Sequence, residues 1–115
     1  MQLHTTKEQS KRLFWLGFSA LSCDIYRDDK NTLINEHFLG MSADNCFWSL
    51  SRLLEIIYDQ TEVVYIRISF DGSIVLEFMN DDDMSFCRHS DMFDNIIDAI
   101  SHLKGKGDIN NKYLE

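Results

Sequence analysis

The hydrophobic period of this chain changes near residue 63, from the helical repeat of about 3.6 residues to the two-residue repeat of a strand. Residues 63–70 form one apolar, β-branched run, and residues 73–79 form a second. Between them lies Asp71-Gly72, a dipeptide typical of tight β-turns. The pattern therefore predicts an antiparallel hairpin in the second half of the chain.

The apolar residues also select the register of this hairpin, because a slip of one residue moves every side chain to the opposite face. A two-residue loop at Asp71-Gly72 would place Arg67 opposite Leu76 and mix the two faces. A three-residue loop over residues 70–72 keeps the faces separate and puts Gly72 in the left-handed conformation of a type I turn with a G1 bulge. The predicted cross-strand pairs are Ile68–Ile74, Ile66–Leu76 and Val64–Phe78.

Helical periodicity predicts two helices before the hairpin. The first spans about residues 7–26, with Thr5 or Thr6 as N-cap in a capping box. The second spans about residues 43–60, with Ser42 as N-cap. The predicted core stripe of the first helix is Phe14, Phe18, Leu21 and Ile25, widened by Leu13, Trp15 and Leu16. The predicted core stripe of the second helix is Phe47, Leu50, Leu54 and Ile57, flanked by Leu53 and Tyr58.

A third helix is predicted after the hairpin, over about residues 91–104. Ser90 is its expected N-cap, and Gly105 and Gly107 are its expected stop signals. The polar residues 108–115 are predicted to fray. The inward-facing residues of this helix are Phe93, Ile96, Ile97, Ile100 and Leu103.

These elements predict an α+β fold in which helices pack on a small antiparallel sheet in two layers. Residues 27–41 are predicted as a loop with some strand, with residues 32–39 as a candidate edge strand that could widen the hairpin. A chain of 115 residues with 44% hydrophobic residues is long enough for one buried core. We therefore predict a single domain over residues 1–115.

The negative charge is concentrated in one part of the chain. Eight acidic residues and one basic residue give residues 71–98 a net charge of −7, against −8 for the whole chain. Such a field attracts basic partners. It argues against direct binding to nucleic acid or to an anionic membrane.

Six of these acids are predicted to form a patch with Glu77. Asp81, Asp82 and Asp83 precede the third helix, and Asp91, Asp94 and Asp98 follow at spacings that place them on one helix face. One interpretation is a solvated face whose first acids complement the helix dipole. The other is a partner-binding surface, and the argument for it is that Asp94 and Asp98 form an unfavourable like-charge pair four residues apart.

The outer face of the hairpin is the second candidate binding surface. It combines Tyr65 and Arg67, residue types enriched in protein interfaces, with Glu77 and apolar neighbours. The alternative is that a helix or residues 27–41 partly cover this face.

The sequence offers no motif for catalysis or for a cofactor. The run Asn80–Asp83 lacks the spacing of a calcium loop, and Cys87-x-His89 lacks the second pair that a structural zinc site needs. Cys87, His89 and Asp91 alternate, but catalytic triads are defined by geometry and not by adjacency. We therefore predict no metal, no cofactor and no enzymatic activity.

Cysteine use and the N-terminal residues bear on location. Cys23, Cys46 and Cys87 are odd in number and widely spaced, which predicts buried small hydrophobes in a reducing compartment. Residues 1–8 contain no apolar signal-peptide region, and no apolar run is long enough for a transmembrane helix. The predicted location is the cytoplasm.

In size, acidity and α+β layout the chain resembles the immunity proteins of bacterial contact-dependent growth inhibition systems. The resemblance implies a cognate toxin domain with a basic surface, such as a nuclease, and assigns no individual residue. Two alternatives stay open. One is a phage-type inhibitor that imitates nucleic acid. The other is a small enzyme or ligand-binding domain with a site built around His37 or His89.

Overall fold

The computed structural model describes residues 2–27, 33–34, 45–59, 61–80 and 82–115. As predicted, the chain has an α+β fold with small antiparallel sheets. Its helices and strands are α1 (Lys7–Trp15), β1 (Ile25–Arg27), β2 (Leu33–Ile34), β3 (Cys46–Phe47), α2 (Leu50–Tyr58), β4 (Val63–Ile68), β5 (Ile74–Phe78), β6 (Asp83–Phe86) and α3 (Met92–Gly105), with 3-10 turns at Ala20–Ser22 and Asn111–Tyr113.

The chain divides into two compact units. Unit 1 comprises Met1–Leu54 and Asn111–Glu115, and unit 2 comprises Glu55–Asn110. Unit 1 contains an antiparallel sheet of order β2-β1-β3, and unit 2 contains one of order β4-β5-β6. The single domain over residues 1–115 stays a prediction.

The starts of α1 and α3 follow the capping rules on which the predictions rest. Thr6 and Gln9 form the predicted capping box, in which each side chain accepts the backbone N–H of the other. At α3 the cap is Asp91 and not the predicted Ser90. The Asp91 carboxylate accepts the Phe93 N–H at 2.7 Å and complements the helix dipole as well.

The first helix ends at Trp15, far short of the predicted residue 26. Gly17, with φ at 98°, adopts the left-handed conformation that ends a helix. The N–H groups of Gly17 and Phe18 donate to the carbonyls of Phe14 and Leu13 at 2.9 and 3.1 Å, which is a Schellman motif. Gly17 is therefore a stop signal and not a glycine inside a longer helix.

The second helix begins later than predicted. The expected cap, Ser42, lies outside the described residues, and the stretch expected to be the first turns contains β3. The cap is Ser49, whose hydroxyl oxygen accepts the Arg52 N–H at 3.1 Å. Ser49 is fixed by Asp24, since its N–H and its hydroxyl both donate to that carboxylate. A residue distant in sequence thus decides where α2 starts.

The core of unit 1 forms around Trp48, which is fully buried and donates its indole N–H to the Ser22 hydroxyl at 3.1 Å. Two residues predicted to face the core from the first helix are not in this core: Trp15, which was expected to widen the apolar stripe, and Leu21, which was expected to belong to it. Trp15 is 84% exposed and Leu21 is 73% exposed, because the helix stops before their positions can form one stripe. The prediction of a long central helix was wrong.

The last residues of the segment predicted to fray make contacts within unit 1, and the fraying itself stays a prediction. Within unit 1, the Tyr113 side chain is buried and its carbonyl accepts the Ser19 N–H at 2.9 Å. The Glu115 N–H donates to the Gly17 carbonyl at 2.8 Å. Burial of one aromatic ring and these two backbone hydrogen bonds favour a docked position for the end of the chain.

The hairpin of unit 2 has the predicted three-residue loop. Ile68 pairs with Ile74 and Ile66 pairs with Leu76, as the face argument required. Gly72 has φ at 84°, which confirms its predicted left-handed conformation. The third predicted pair, Val64–Phe78, was wrong.

A β-bulge changes the last pair of this hairpin. Val63 lies opposite Phe78, and the register shifts between Val63 and Tyr65. The bulge turns Val63 into the core, where it is 5% exposed, and leaves Val64 54% exposed. One apolar valine is thereby buried at the expense of its neighbour.

The third strand of this sheet is β6, in the acidic stretch that was predicted as a connection. β5 is the central strand, and α3 packs against β5 and β6. The predicted inward-facing residues of α3 are all buried, and Gly107, with φ at 73°, provides the predicted stop. Of the predicted edge strand at residues 32–39, the structure describes only Leu33–Ile34, which form β2 and pair with β1.

Candidate protein-binding surface

Among the residues that the structure describes, one face of the three-stranded sheet in unit 2 carries mostly exposed side chains. The alternative that residues 27–41 cover this face falls mostly outside the described residues. Side chains alternate along each strand, so the cross-strand partners Tyr65–Glu77–Asp83 and Arg67–Val75–Ser85 lie on the same face. The opposite face carries Ile74 and Leu76, which are fully buried beneath α3. We call the first set the outer sheet face; its residues are Tyr65, Arg67, Val75, Glu77, Asp83 and Ser85.

Arg67 is the electrostatic centre of the outer sheet face. Its Nη2 lies 3.4 Å from Glu77 Oε1 and 3.7 Å from Asp83 Oδ2. Glu77 and Asp83 are directly opposite each other on β5 and β6, an unfavourable like-charge pair that the guanidinium offsets. One cation between two carboxylates leaves this cluster with a net negative charge.

This cluster is accessible to another molecule. The side chains of Arg67 and Asp83 are each 52% exposed, and that of Glu77 is 34% exposed. Tyr65 is 52% exposed beside them. The structure thus adds Asp83, a member of the predicted acidic patch, to the face on which Tyr65, Arg67 and Glu77 were expected.

Exposed ion pairs of this kind contribute little to folding, which leads to a first prediction. Replacing Arg67 with Gln should change the free energy of unfolding by less than about 1 kcal/mol, because solvent screens all three charges. The loss should shrink further in high salt. Urea unfolding at low and high ionic strength measures both effects; a loss well above this value would make the cluster a structural element.

The acids of α3 have structural partners of their own. Asp91 caps the helix, as described above. Asp98 Oδ2 lies 3.1 Å from His89 Nε2, with side chains 16% and 30% exposed. Asp94 is in the first turn, where a negative charge complements the helix dipole. All three are partly buried, so they are less open to a partner than the cluster at Arg67.

The predicted seven-residue patch is therefore divided between two places, of which only one is on the sheet. Glu77 and Asp83 lie on the outer sheet face, whereas Asp91, Asp94 and Asp98 lie at the cap and in the first half of α3. Asp82 is exposed beside Asn80, and Asp81 lies outside the described residues. Which group contacts a partner stays a prediction.

An open pocket of about 110 Å³ adjoins the turn between β5 and β6. Apolar, acidic and basic side chains share its wall, and the basic ones come from the end of α3. This pocket lies at the other end of α3 from its cap Asp91. A helix rises about 1.5 Å per residue, so His102 in the pocket wall is on the order of 15 Å along the helix from that cap. The pocket is lined by Glu62, Phe78, Asn80, Asp82, Asp83, Met84, His102 and Lys106.

Sequence reasoning missed Asn80, His102 and Lys106 as members of a site that includes Asp82 and Asp83. No local pattern in the sequence connects these residues with Asp82 and Asp83. The end of α3 reaches the β5–β6 turn only because the chain reverses direction through β6. Lys106 is placed there by a contact that periodicity does not reveal: its Nζ lies 4.6 Å from the centre of the Phe78 ring.

The alternating Cys87, His89 and Asp91 do not form a triad. His89 Nε2 faces Asp98, Asp91 is used as a helix cap, and Cys87 is exposed. Across the described ranges, we find no group of three or more histidine, cysteine or acidic side chains with the geometry to hold a metal ion.

The edge of the sheet at β4 has one further feature. The Ile66 N–H donates at 3.1 Å to the hydroxyl oxygen of Tyr58, the last residue of α2. Tyr58 was predicted to flank a core stripe, but it is 47% exposed and caps a strand edge.

No protein-family model matches the chain, and comparisons with curated proteins and with solved structures return no match.

Within the part of the chain that the structure describes, no helix has the length and apolar character needed to cross a membrane.

Proposed function

We propose that this chain is an inhibitor that binds a protein with a basic surface. In the specific form we favour, it is a cytoplasmic immunity protein that neutralises a cognate bacterial toxin domain, with a nuclease as the first candidate. Its role is to bind and not to catalyse. The proposal draws on the concentrated negative charge of residues 71–98 and on the outer sheet face.

The observation that carries the proposal is the composition of that face. Tyr65 and Arg67 are half exposed and lie beside two accessible carboxylates, Glu77 and Asp83. Tyrosine and arginine contribute most of the binding energy in many interfaces, because they offer large contact areas and directional hydrogen bonds. An open face with these groups has no evident use in the packing of unit 2.

The charge of this face suits a basic partner. Arg67 offsets part of the repulsion between Glu77 and Asp83. Carboxylate oxygens on this face can accept hydrogen bonds from arginine or lysine side chains of a partner. A nuclease must attract phosphates, so the surface around its active cleft is expected to be basic. A negative face steers association with such a cleft and would compete with its substrate.

A binding experiment tests the proposal. The probe is the toxin domain encoded next to this gene, or, failing that, a partner captured by pull-down. We expect Tyr65→Ala combined with Asp83→Asn to weaken binding at least about tenfold, through lost contact and slower association at low salt. Affinity and rate constants should be measured across a range of salt concentrations.

Asp94→Asn provides the matched arm for the α3 acids, because it removes one negative charge from α3 and leaves the helix cap at Asp91 in place. A comparable loss in this variant would place the partner on the α3 acids. If neither variant changes the affinity or its salt dependence, binding through Tyr65 and Asp83 of the outer sheet face or through Asp94 of α3 is excluded.

A further inference from the structure

The pocket beside the β5–β6 turn has two sides of opposite charge, and both belong to unit 2. His102 and Lys106 come from the end of α3 and are four residues apart, so they lie on the same helix face. Asp82 comes from the turn between β5 and β6, and Glu62 directly precedes β4. The helix side therefore provides hydrogen-bond donors and a cation, whereas the sheet side provides carboxylates.

The opposite charges of this pocket do not pair with each other. Among the described residues, no carboxylate lies within ion-pairing distance of Lys106, and its Nζ lies over the Phe78 ring, 4.6 Å from the centre. On the sheet side, an Asp82 carboxylate oxygen accepts a hydrogen bond from Asn80 Nδ2 at 3.1 Å. The ammonium group and the carboxylates are thus separated across the pocket, so a molecule that carries both charges could bridge them.

The size of the pocket limits its occupant. Its volume is about 110 Å³. Sites for drug-sized ligands measure about 300–1,000 Å³, whereas a cavity of about 150 Å³ holds benzene, a molecule of about six non-hydrogen atoms. Phe78 is 7% exposed and is the most buried residue of the wall, and Met84 adds a second apolar side chain. A small molecule with a short apolar part therefore fits the space.

We propose that this pocket binds a small zwitterion, namely a free amino acid of the size of alanine. Its carboxylate pairs with Lys106 and its ammonium group pairs with Asp82 and Glu62. Its methyl group contacts Phe78. Hydrogen bonds between charged groups, as in this arrangement, are stronger than those between neutral groups. The site does not depend on the protein partner proposed above.

A ligand with a single charge suits the pocket less well. A simple anion that pairs with Lys106 also meets the carboxylates of the sheet side, and a simple cation that pairs with Asp82 also meets the Lys106 ammonium group. Each pays for one favourable contact with one repulsive contact. A zwitterion makes a favourable contact on both sides, so the pocket should discriminate between amino acids and their singly charged analogues.

The test is a titration of the isolated protein with L-alanine, followed by its amide NMR spectrum at low ionic strength. We expect saturable shifts at Asn80, Lys106 and their neighbours, with a Kd of roughly 1–10 mM, as suits so small a ligand. Lactate and alaninamide match alanine in size but each lacks one charge. Both should bind at least about threefold more weakly. No saturable shift with alanine, or equal binding of either analogue, would overturn the proposal.

Three variants assign the two charged sides. Lys106→Gln should weaken alanine binding about three- to tenfold without weakening alaninamide, and Asp82→Asn should weaken alanine without weakening lactate. Both side chains are exposed, so the fold should be retained. Lys104→Gln is the matched control, because it removes the same charge from α3 outside the pocket wall. Equal losses in Lys104→Gln and Lys106→Gln would show a general effect of charge and contradict the site.

Discussion

Replacing Gly72 with valine should lower the free energy of unfolding by more than about 2 kcal/mol. Two independent effects add at this position. Gly72 has φ at 84°, a conformation that a β-branched residue resists. A Cβ atom would also lie 2.9 Å from the Ser90 carbonyl oxygen and 3.2 Å from the Met92 nitrogen, both backbone atoms that cannot rotate away.

The two glycines at the end of α3 provide controls for the two effects. At Gly107, φ is 73° and the space that a Cβ would enter is open to 4 Å, so Gly107→Ala should show conformational strain alone, about 1 kcal/mol. At Gly105 neither effect is present, and Gly105→Ala should be neutral or stabilising by up to about 1 kcal/mol. Urea unfolding of the three variants measures the order; an unchanged midpoint for Gly72→Val would remove the basis of the hairpin geometry.

Replacing Asn95 with leucine should cost about 3 kcal/mol. Asn95 is fully buried, and its side-chain amide donates to the carbonyls of Gly72 and His89, each at 2.9 Å. Its Oδ1 accepts the His89 N–H at 3.0 Å. Leucine has the same number of side-chain heavy atoms and the same branching but leaves these backbone groups without their partner, and a buried polar group without a hydrogen bond is costly.

Ser101→Ala is the matched control for Asn95→Leu, because it lies on the same helix in a less buried position. We expect it to change stability by less than about 0.5 kcal/mol. Thermal or urea unfolding of both variants separates loss of the Asn95 hydrogen bonds from a general sensitivity of α3. If Asn95→Leu is as stable as the control, the hairpin loop and the segment before α3 do not depend on this amide.

The hairpin was the most predictable part of the fold, because two local signals agreed. The alternation of apolar residues fixed the face of Ile66 and Ile68, and Asp71-Gly72 fixed the turn. The bulge at Val64 was not predictable in this way. It depends on which of two adjacent valines packs better, and this is decided by tertiary contacts and not by the pattern.

Helix boundaries failed where the sequence offered more than one signal. Gly17 could be an unfavourable helix residue or a terminator, and the apolar residues on both sides favoured the wrong choice. Similarly, Ser42 and Ser49 are both suitable caps for α2. Asp24 holds Ser49 in place, and no local rule identifies that contact.

The candidate site was predicted residue by residue but not as an arrangement. Tyr65, Arg67 and Glu77 follow from the hairpin register, so their common face was expected. Asp83 joins them only because residues 83–86 form a strand, and a run of three aspartates disfavours that assignment.

The hydroxyl of Tyr58 has a consequence for the behaviour of this protein at high concentration. β4 is an edge strand with exposed apolar side chains at Val64 and Ile68, the kind of edge on which copies of a chain stack into fibrils. A continuous ladder along this edge needs the Ile66 N–H, which Tyr58 already occupies, and a regular backbone, which the bulge at Val64 interrupts. A single phenol and one extra residue are thus two features of the kind that disfavour edge-to-edge pairing of strands.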